Sequence, residues 1–205
     1  MSQTGYETKT GEVVGAQRQD AQRNREAVIA AARVLLARGG VDVSVAEIAQ
    51  RAGVGKGTVF RHFASKELLV AEVVSEALEG LHARGRALLQ NRDPAQALHD
   101  FMTDAIALQA ADRAFCEIVA GAERNEARIR RAVERLHELV DQLTLRAVGA
   151  GVVRPDLTGR DVALLLSGIY QTAAPLASDE PELWRRYLVL VLDGLLPRTM
   201  TPLPN

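Results

Sequence analysis

An all-α fold of about nine helices is predicted for this 205-residue chain, and three observations predict it. Apolar residues recur at spacings of three and four along most of the sequence, as they do when helices bury one face. Ala, Leu, Val, Arg and Glu dominate while aromatic residues make up 4%, a mixture that favours helix over sheet. No stretch of useful length alternates apolar with polar residues as a half-buried strand does, and there is no internal repeat or low-complexity tract.

Residues 1–17 are rich in Gly, Thr, Gln and Ser, lack periodicity, and are expected to form a flexible N-terminal arm. From Asp20 a helix is read on Val28, Ala31, Ala32, Leu35 and Leu36, ending at Gly39-Gly40. Ser44-Val45-Ala46-Glu47 is a capping box, in which serine and glutamate each satisfy an exposed N–H of the first turn. The helix it starts is stopped by Gly53, and a second brief helix follows from about Lys56 to Phe63. Two short helices joined by a tight glycine turn form a helix-turn-helix over 44–63. Ser65 then caps a long helix carrying Leu68, Leu69, Val73, Val74, Ala77 and Leu81. Asp93-Pro94 opens the next, with Leu98, Phe101, Met102, Ala105 and Ile106. Further helices are expected at about 112–121, 123–149, 158–177 and 180–195, punctuated by glycine, serine and proline. The division that follows is an arm over 1–17, a three-helix head over 18–66 and a helical body over 67–205.

Charge is unevenly spread. Residues 18–68 hold nine Lys or Arg against five acids, whereas residues 69–205 hold 15 against 19. A cationic head on an acidic body fits a molecule that meets phosphates with its head alone. The single cysteine, Cys116, excludes an intrachain disulfide and suggests a reducing compartment. The polar start MSQTGYETKT lacks the layout of a secretory signal, and the most apolar run, YLVLVLDGLL, is broken by Asp193. A cytoplasmic location and no membrane partner are expected. His62, His82, His99 and His137 are scattered, no HExxH or CxxC spacing occurs, and no glycine loop cradles phosphate. Neither catalysis, a metal nor a cofactor is expected.

In a DNA-binding helix-turn-helix the second helix enters the major groove while cations and amides at its edges hold phosphates. In VGKGTVFRHFASKELL, Val59 and Phe63 lie four apart and can pack inward, which turns Lys56, Thr58 and Arg61 outward; Gly57 allows close approach to the duplex, and His62 and Lys66 can reach the backbone. Here the sequence resembles the TetR family: AVIAAARVLLARGG followed by SVAEIAQRAGVGKGTVFRHFASKELL looks like its first four helices in order and spacing, over roughly 24–70. The resemblance implies a dimeric repressor of palindromic double-stranded operator DNA with a small-molecule effector. Carried over by position, it places Thr58, Phe60, His62 and Lys66 at DNA contacts, with Ser44 and Val45 at the phosphate-facing start of the second helix. The family commonly has tyrosine where Phe60 stands and often serine where Gly55 stands, so a hydroxyl contact and a capping hydroxyl are missing here.

For the body the residues offer candidates. Leu165, Gly168 and Ile169 line one helix, and Trp184, Tyr187, Leu188, Val191 and Leu192 line the last; two such helices can pair with their copies as a four-helix bundle, or serve as intrachain core. Phe101, Met102, Phe115, Cys116, Leu136, Val140 and Tyr170 are candidates for a mostly apolar ligand pocket that favours a hydrophobic effector, and each also suits ordinary core. A regulator without a ligand, controlled by a protein partner, stays open as the alternative, as does an activator.

Overall fold

The computed structural model describes residues 7–121, 126–197 and 201–203, with side chains from residue 18 onward. Within them lie nine α-helices and no strand. The head consists of α1 (Glu7–Gly39), α2 (Val45–Ala52) and α3 (Lys56–His62). Residues 1–6 of the expected arm lie outside the described residues, and from Glu7 the backbone is already helical, well before the start read at Asp20. That early stretch carries no apolar stripe, so periodicity could not reveal it.

Local chemistry sets the joints of the head. Ser44 caps α2: its hydroxyl accepts from the Glu47 N–H at 3.3 Å, while its own N–H donates to Glu47 Oε2 at 2.8 Å. Gly53 ends α2 in the left-handed region, φ 68°, and its N–H turns back to the carbonyls of Ala49 and Gln50. A Cβ at Gly53 would touch nothing, so Gly53→Ala carries only the backbone cost of that conformation. We expect a loss of about 1 kcal/mol, read as a lower denaturant midpoint with an unchanged slope. Val28, Ala32 and Leu36 of α1 close over Ile48, Val59 and Phe63, all 5% exposed or less.

The body contains α4 (Lys66–Leu88), α5 (Pro94–Ala111), α6 (Arg113–Ala120), α7 (Ala127–Gly149), α8 (Gly159–Ala173) and α9 (Leu183–Gly194). Helix α4 packs on α7, α7 on α8, and α5 against both α8 and α9. Leu98, Phe101, Met102 and Ile106 of α5 are among its most deeply buried side chains. Two expected helices are trimmed. The one read over 158–177 leaves α geometry after Ala173 and finishes in a 3-10 turn, Ala174–Leu176, where Pro175 withdraws a backbone donor. The one read from 123 begins at Ala127, with residues 122–125 outside the described set.

Head and body are tied by charge and by packing. Arg25 of α1 donates to Glu72 of α4 at 2.8 Å, and Arg128 of α7 reaches the same carboxylate, which these guanidinium groups hold below the usual glutamate range. Arg25 also lies over the Phe63 ring, 5.2 Å from its centroid, so one side chain touches the end of the helix-turn-helix and the start of the body. Helix α6 packs on α1 and on the 3-10 turn Gly40–Asp42 that precedes α2.

Candidate functional site

The surface of α3 is sorted by burial. Val59 and Phe63 are fixed in the head's core, 1% and 5% exposed, and this orients the rest of the helix. Lys56, Gly57, Phe60 and Arg61 face solvent, Thr58 and His62 are half-buried, and Phe60 stands 50% exposed. Phe60 thus adds an apolar ring to a surface that also presents the cations Lys56 and Arg61. A Cβ at Gly57 would meet no protein atom within 4 Å, so nothing within the fold demands glycine there. The N-cap of α3 is Gly55, which offers no side-chain bond, and Thr58 N–H closes on the Gly55 carbonyl at 2.9 Å.

The two edges of this surface differ. At the start of α2 the Ser44 hydroxyl also lies 2.7 Å from Glu47 Oε2, so serine is occupied as a cap, and the half-buried Val45 contributes a first-turn amide that no helix can satisfy internally. Hydrogen bonds from Ser44 hold the Glu47 carboxyl below the usual glutamate range, and those of the α4 cap do the same for Glu67; Lys66, half-buried at the first turn of α4, adds a smaller pull on both. Lys66 lines a cleft with Val41, Val70, Ile118 and Ile129.

In the body a partly open pocket of about 290 Å³ lies among α4, α5, α6, α7 and α8, its mouth edged by the exposed residues His137, Leu164, Ser167 and Gln171. Phe101, Phe115, Cys116, Leu136, Val140 and Tyr170 of the sequence-derived set line it together. Met102 does not; it is fully buried on another side of α5 and belongs to the core. Sequence reasoning missed the polar lining, Gln109, Ser167, Gln171 and His137, because nothing in a single sequence says which polar groups of separate helices converge. Among the described lining residues there is no Asp, Glu, Lys or Arg. Cys116 Sγ donates to the Gln109 carbonyl at 3.2 Å and is paired with Tyr170. Burial pushes the thiol up to about 11, and burial and the Cys116 partner push the Tyr170 phenol up to about 12. A raised pKa keeps the thiol protonated at neutral pH, and the thiolate is the nucleophile. Iodoacetamide at about pH 8 should therefore alkylate folded Cys116 at least tenfold more slowly than the denatured chain, whose thiol has a pKa near 8.5; equal rates would contradict a buried thiol.

A second surface lies on the outer side of α8 and α9. Leu165, Gly168, Tyr187 and Val191 line an open apolar groove of about 560 Å³, together with Leu157, Thr172 and Leu203. Leu164 of the same lining is 61% exposed, and Leu190 on α9 is 57% exposed. Ile169, 4% exposed, forms part of the groove's floor, whereas Trp184 and Leu188, grouped with this face by the sequence pattern, are 5% and 4% exposed and sit in the protomer's own core; Leu192 is half-buried. Each of these helices is apolar on two sides, and period alone cannot say which side stays inside. Among the described residues no three His, Cys, Asp or Glu side chains gather as a metal site, and no helix is long and apolar enough to cross a membrane.

Comparison with known proteins covers both halves. Residues 28–73 match the model described as bacterial regulatory proteins of the tetR family, and residues 93–197 match that of the C-terminal domain of SbtR-like transcriptional regulators. The HTH-type transcriptional regulator UidR of Escherichia coli is 28% identical over 174 residues, spanning 78% of this chain and 85% of that protein. Of solved structures, the TetR transcription regulatory protein from Mycobacterium vanbaalenii is 31% identical with a TM-score of 0.61, over 88% of this chain and 99% of that one. A TetR transcriptional regulator from Streptomyces coelicolor is 28% identical with a TM-score of 0.63, over 85% and 99%.

Proposed function

Because the chain belongs to the TetR family of transcriptional regulators, we propose that it is a cytoplasmic repressor whose homodimer binds a palindromic operator and lets go when a small, uncharged effector enters the body. The observation that carries the DNA reading is the sorting of α3, with Val59 and Phe63 locked inward and Lys56, Gly57, Phe60 and Arg61 turned out. In this reading Lys56, Thr58 and Arg61 meet base edges and nearby phosphates, Phe60 packs on sugar or a thymine methyl, and Val45, His62 and Lys66 lie along the backbone, with Ser44 holding α2 in place.

The apolar face of α8 and α9 would join two protomers into a four-helix bundle, presenting both heads to one side of the duplex. The cavity beside α6 would take the effector. Its lining is mostly apolar with a few hydrogen-bonding groups and, apart from His137, offers no side chain that could pair with a charged ligand, so an uncharged, mainly apolar effector suits it best. At about 290 Å³ it sits at the small end of ligand pockets.

Selecting genomic fragments of the source organism on full-length protein tests the reading. The expected result is an enriched motif with two-fold symmetry, and recovery of random DNA would overturn it. A thermal-shift panel of neutral and charged small molecules then tests the pocket: stabilisation by anionic compounds alone would overturn the uncharged assignment.

A further inference from the structure

Helix α6 has two faces with different neighbours. One carries Phe115, Cys116, Val119 and Ala120 into the wall of the cavity. The other carries Glu117, which leaves the body altogether. Its carboxylate accepts a hydrogen bond from the Val41 N–H at 2.8 Å, in the 3-10 turn Gly40–Asp42, three residues before the capping Ser44 of α2. Arg113, one turn back on α6, donates to the other oxygen at 2.7 Å and fixes the carboxylate's direction. Gly40 makes room for it. With φ +65°, it presents its Cα so closely that an added Cβ would lie 2.5 Å from Glu117 Oε2. The start of α6 is held in turn by Asp112, 8% exposed, whose side chain accepts from the Phe115 N–H at 2.9 Å.

From this arrangement we propose that Glu117 is the positioning residue that couples the cavity to the operator-reading head. Helix α6 is only eight residues long, so a displacement of its cavity face is carried to its opposite face. The carboxylate grips backbone rather than a flexible side chain, and the gripped turn leads directly into Ser44 and α2. A ligand that moves α6 therefore pulls directly on the entry to the helix-turn-helix, alongside any push on α4, against which α6 also packs. The inference rests on the cavity and DNA readings above, and it adds the residue that joins them.

The test measures coupling in the full-length protein, with N-phenylnaphthylamine as an uncharged fluorescent probe of the cavity and an operator fragment selected by the wild type. In the wild type, operator should weaken probe binding and probe should weaken operator binding by the same factor, within the 5- to 150-fold typical of linked sites, roughly. Glu117→Ala should bind the probe alone as the wild type does, since Glu117 is not part of the cavity lining, while the coupling factor falls to within about twofold of unity. Glu117→Gln keeps an oxygen that accepts from Val41 and should retain most of the coupling. Wild-type coupling in Glu117→Ala overturns the inference and leaves the function intact. A wild type whose probe and operator ignore each other overturns the inference together with the effector reading, and a chain that selects no DNA overturns the DNA reading.

Discussion

Replacing Lys56 and Arg61 together by alanine should lower operator affinity at least a hundredfold while leaving the melting temperature within a degree or so of the wild type. Both side chains are exposed on α3, and the helix is held in the head by Val59 and Phe63, which the substitutions leave alone. A base contact of good geometry is worth about 1–3 kcal/mol, and a dimer loses each contact twice. Two such losses per protomer exceed the 2.7 kcal/mol, roughly, that a hundredfold requires, even at the low end of the range. The salt dependence should weaken as well, because each phosphate-neutralising cation contributes a slope of about 0.9 in the logarithmic plot. Affinity that survives the double substitution would mean that α3 is not the reading helix. Gly57→Ala is the complementary variant: a Cβ there meets open space in the protein, so any loss of affinity comes from the duplex.

The second large effect is expected at the other end of the molecule. Gly168 lies on the exposed side of α8, in the groove with Leu165, Tyr187 and Val191, and a Cβ there touches nothing within the protomer. Gly168→Glu should therefore leave the protomer's own fold intact, since a side chain there meets no protomer atom and glycine inside a helix costs roughly 0.5–1 kcal/mol relative to alanine. In a two-fold interface the same substitution puts two like charges into one largely apolar contact, where they lose water and repel each other. Analytical ultracentrifugation should show a monomer where the wild type is a dimer, and operator binding should fall with it. A Gly168→Glu protein that sediments as the wild type would place the interface elsewhere.

The head was legible in the sequence because its signals are local. A capping serine, a glycine in the left-handed region and two apolar residues four apart specify α2, the turn and α3 without reference to distant residues. The body was legible only as a count of helices. Its cavity is assembled from five of them, and the sequence could nominate apolar lining such as Phe115 and Val140 but not the convergence of Gln109, Ser167 and Gln171 on the same space. Met102 illustrates the limit: it shares α5 with Phe101, yet it faces the core. Trp184 and Leu188 illustrate it again, since the last helix is apolar on two sides and only packing tells the buried side from the free one. Glu117 was invisible for a different reason. A carboxylate on a short helix reads as a solvated charge until the turn that holds it, 76 residues away in the chain, is brought alongside.

If two copies of α3 read one face of a duplex, hydroxyl-radical and methylation footprinting of a selected operator with the full-length protein will show it. Two symmetric patches of major-groove protection are expected, about 34 Å apart or a multiple of that spacing, weakened in both patches alike by Gly57→Ala. A single asymmetric patch, or protection confined to the minor groove and unchanged by Gly57→Ala, would contradict it.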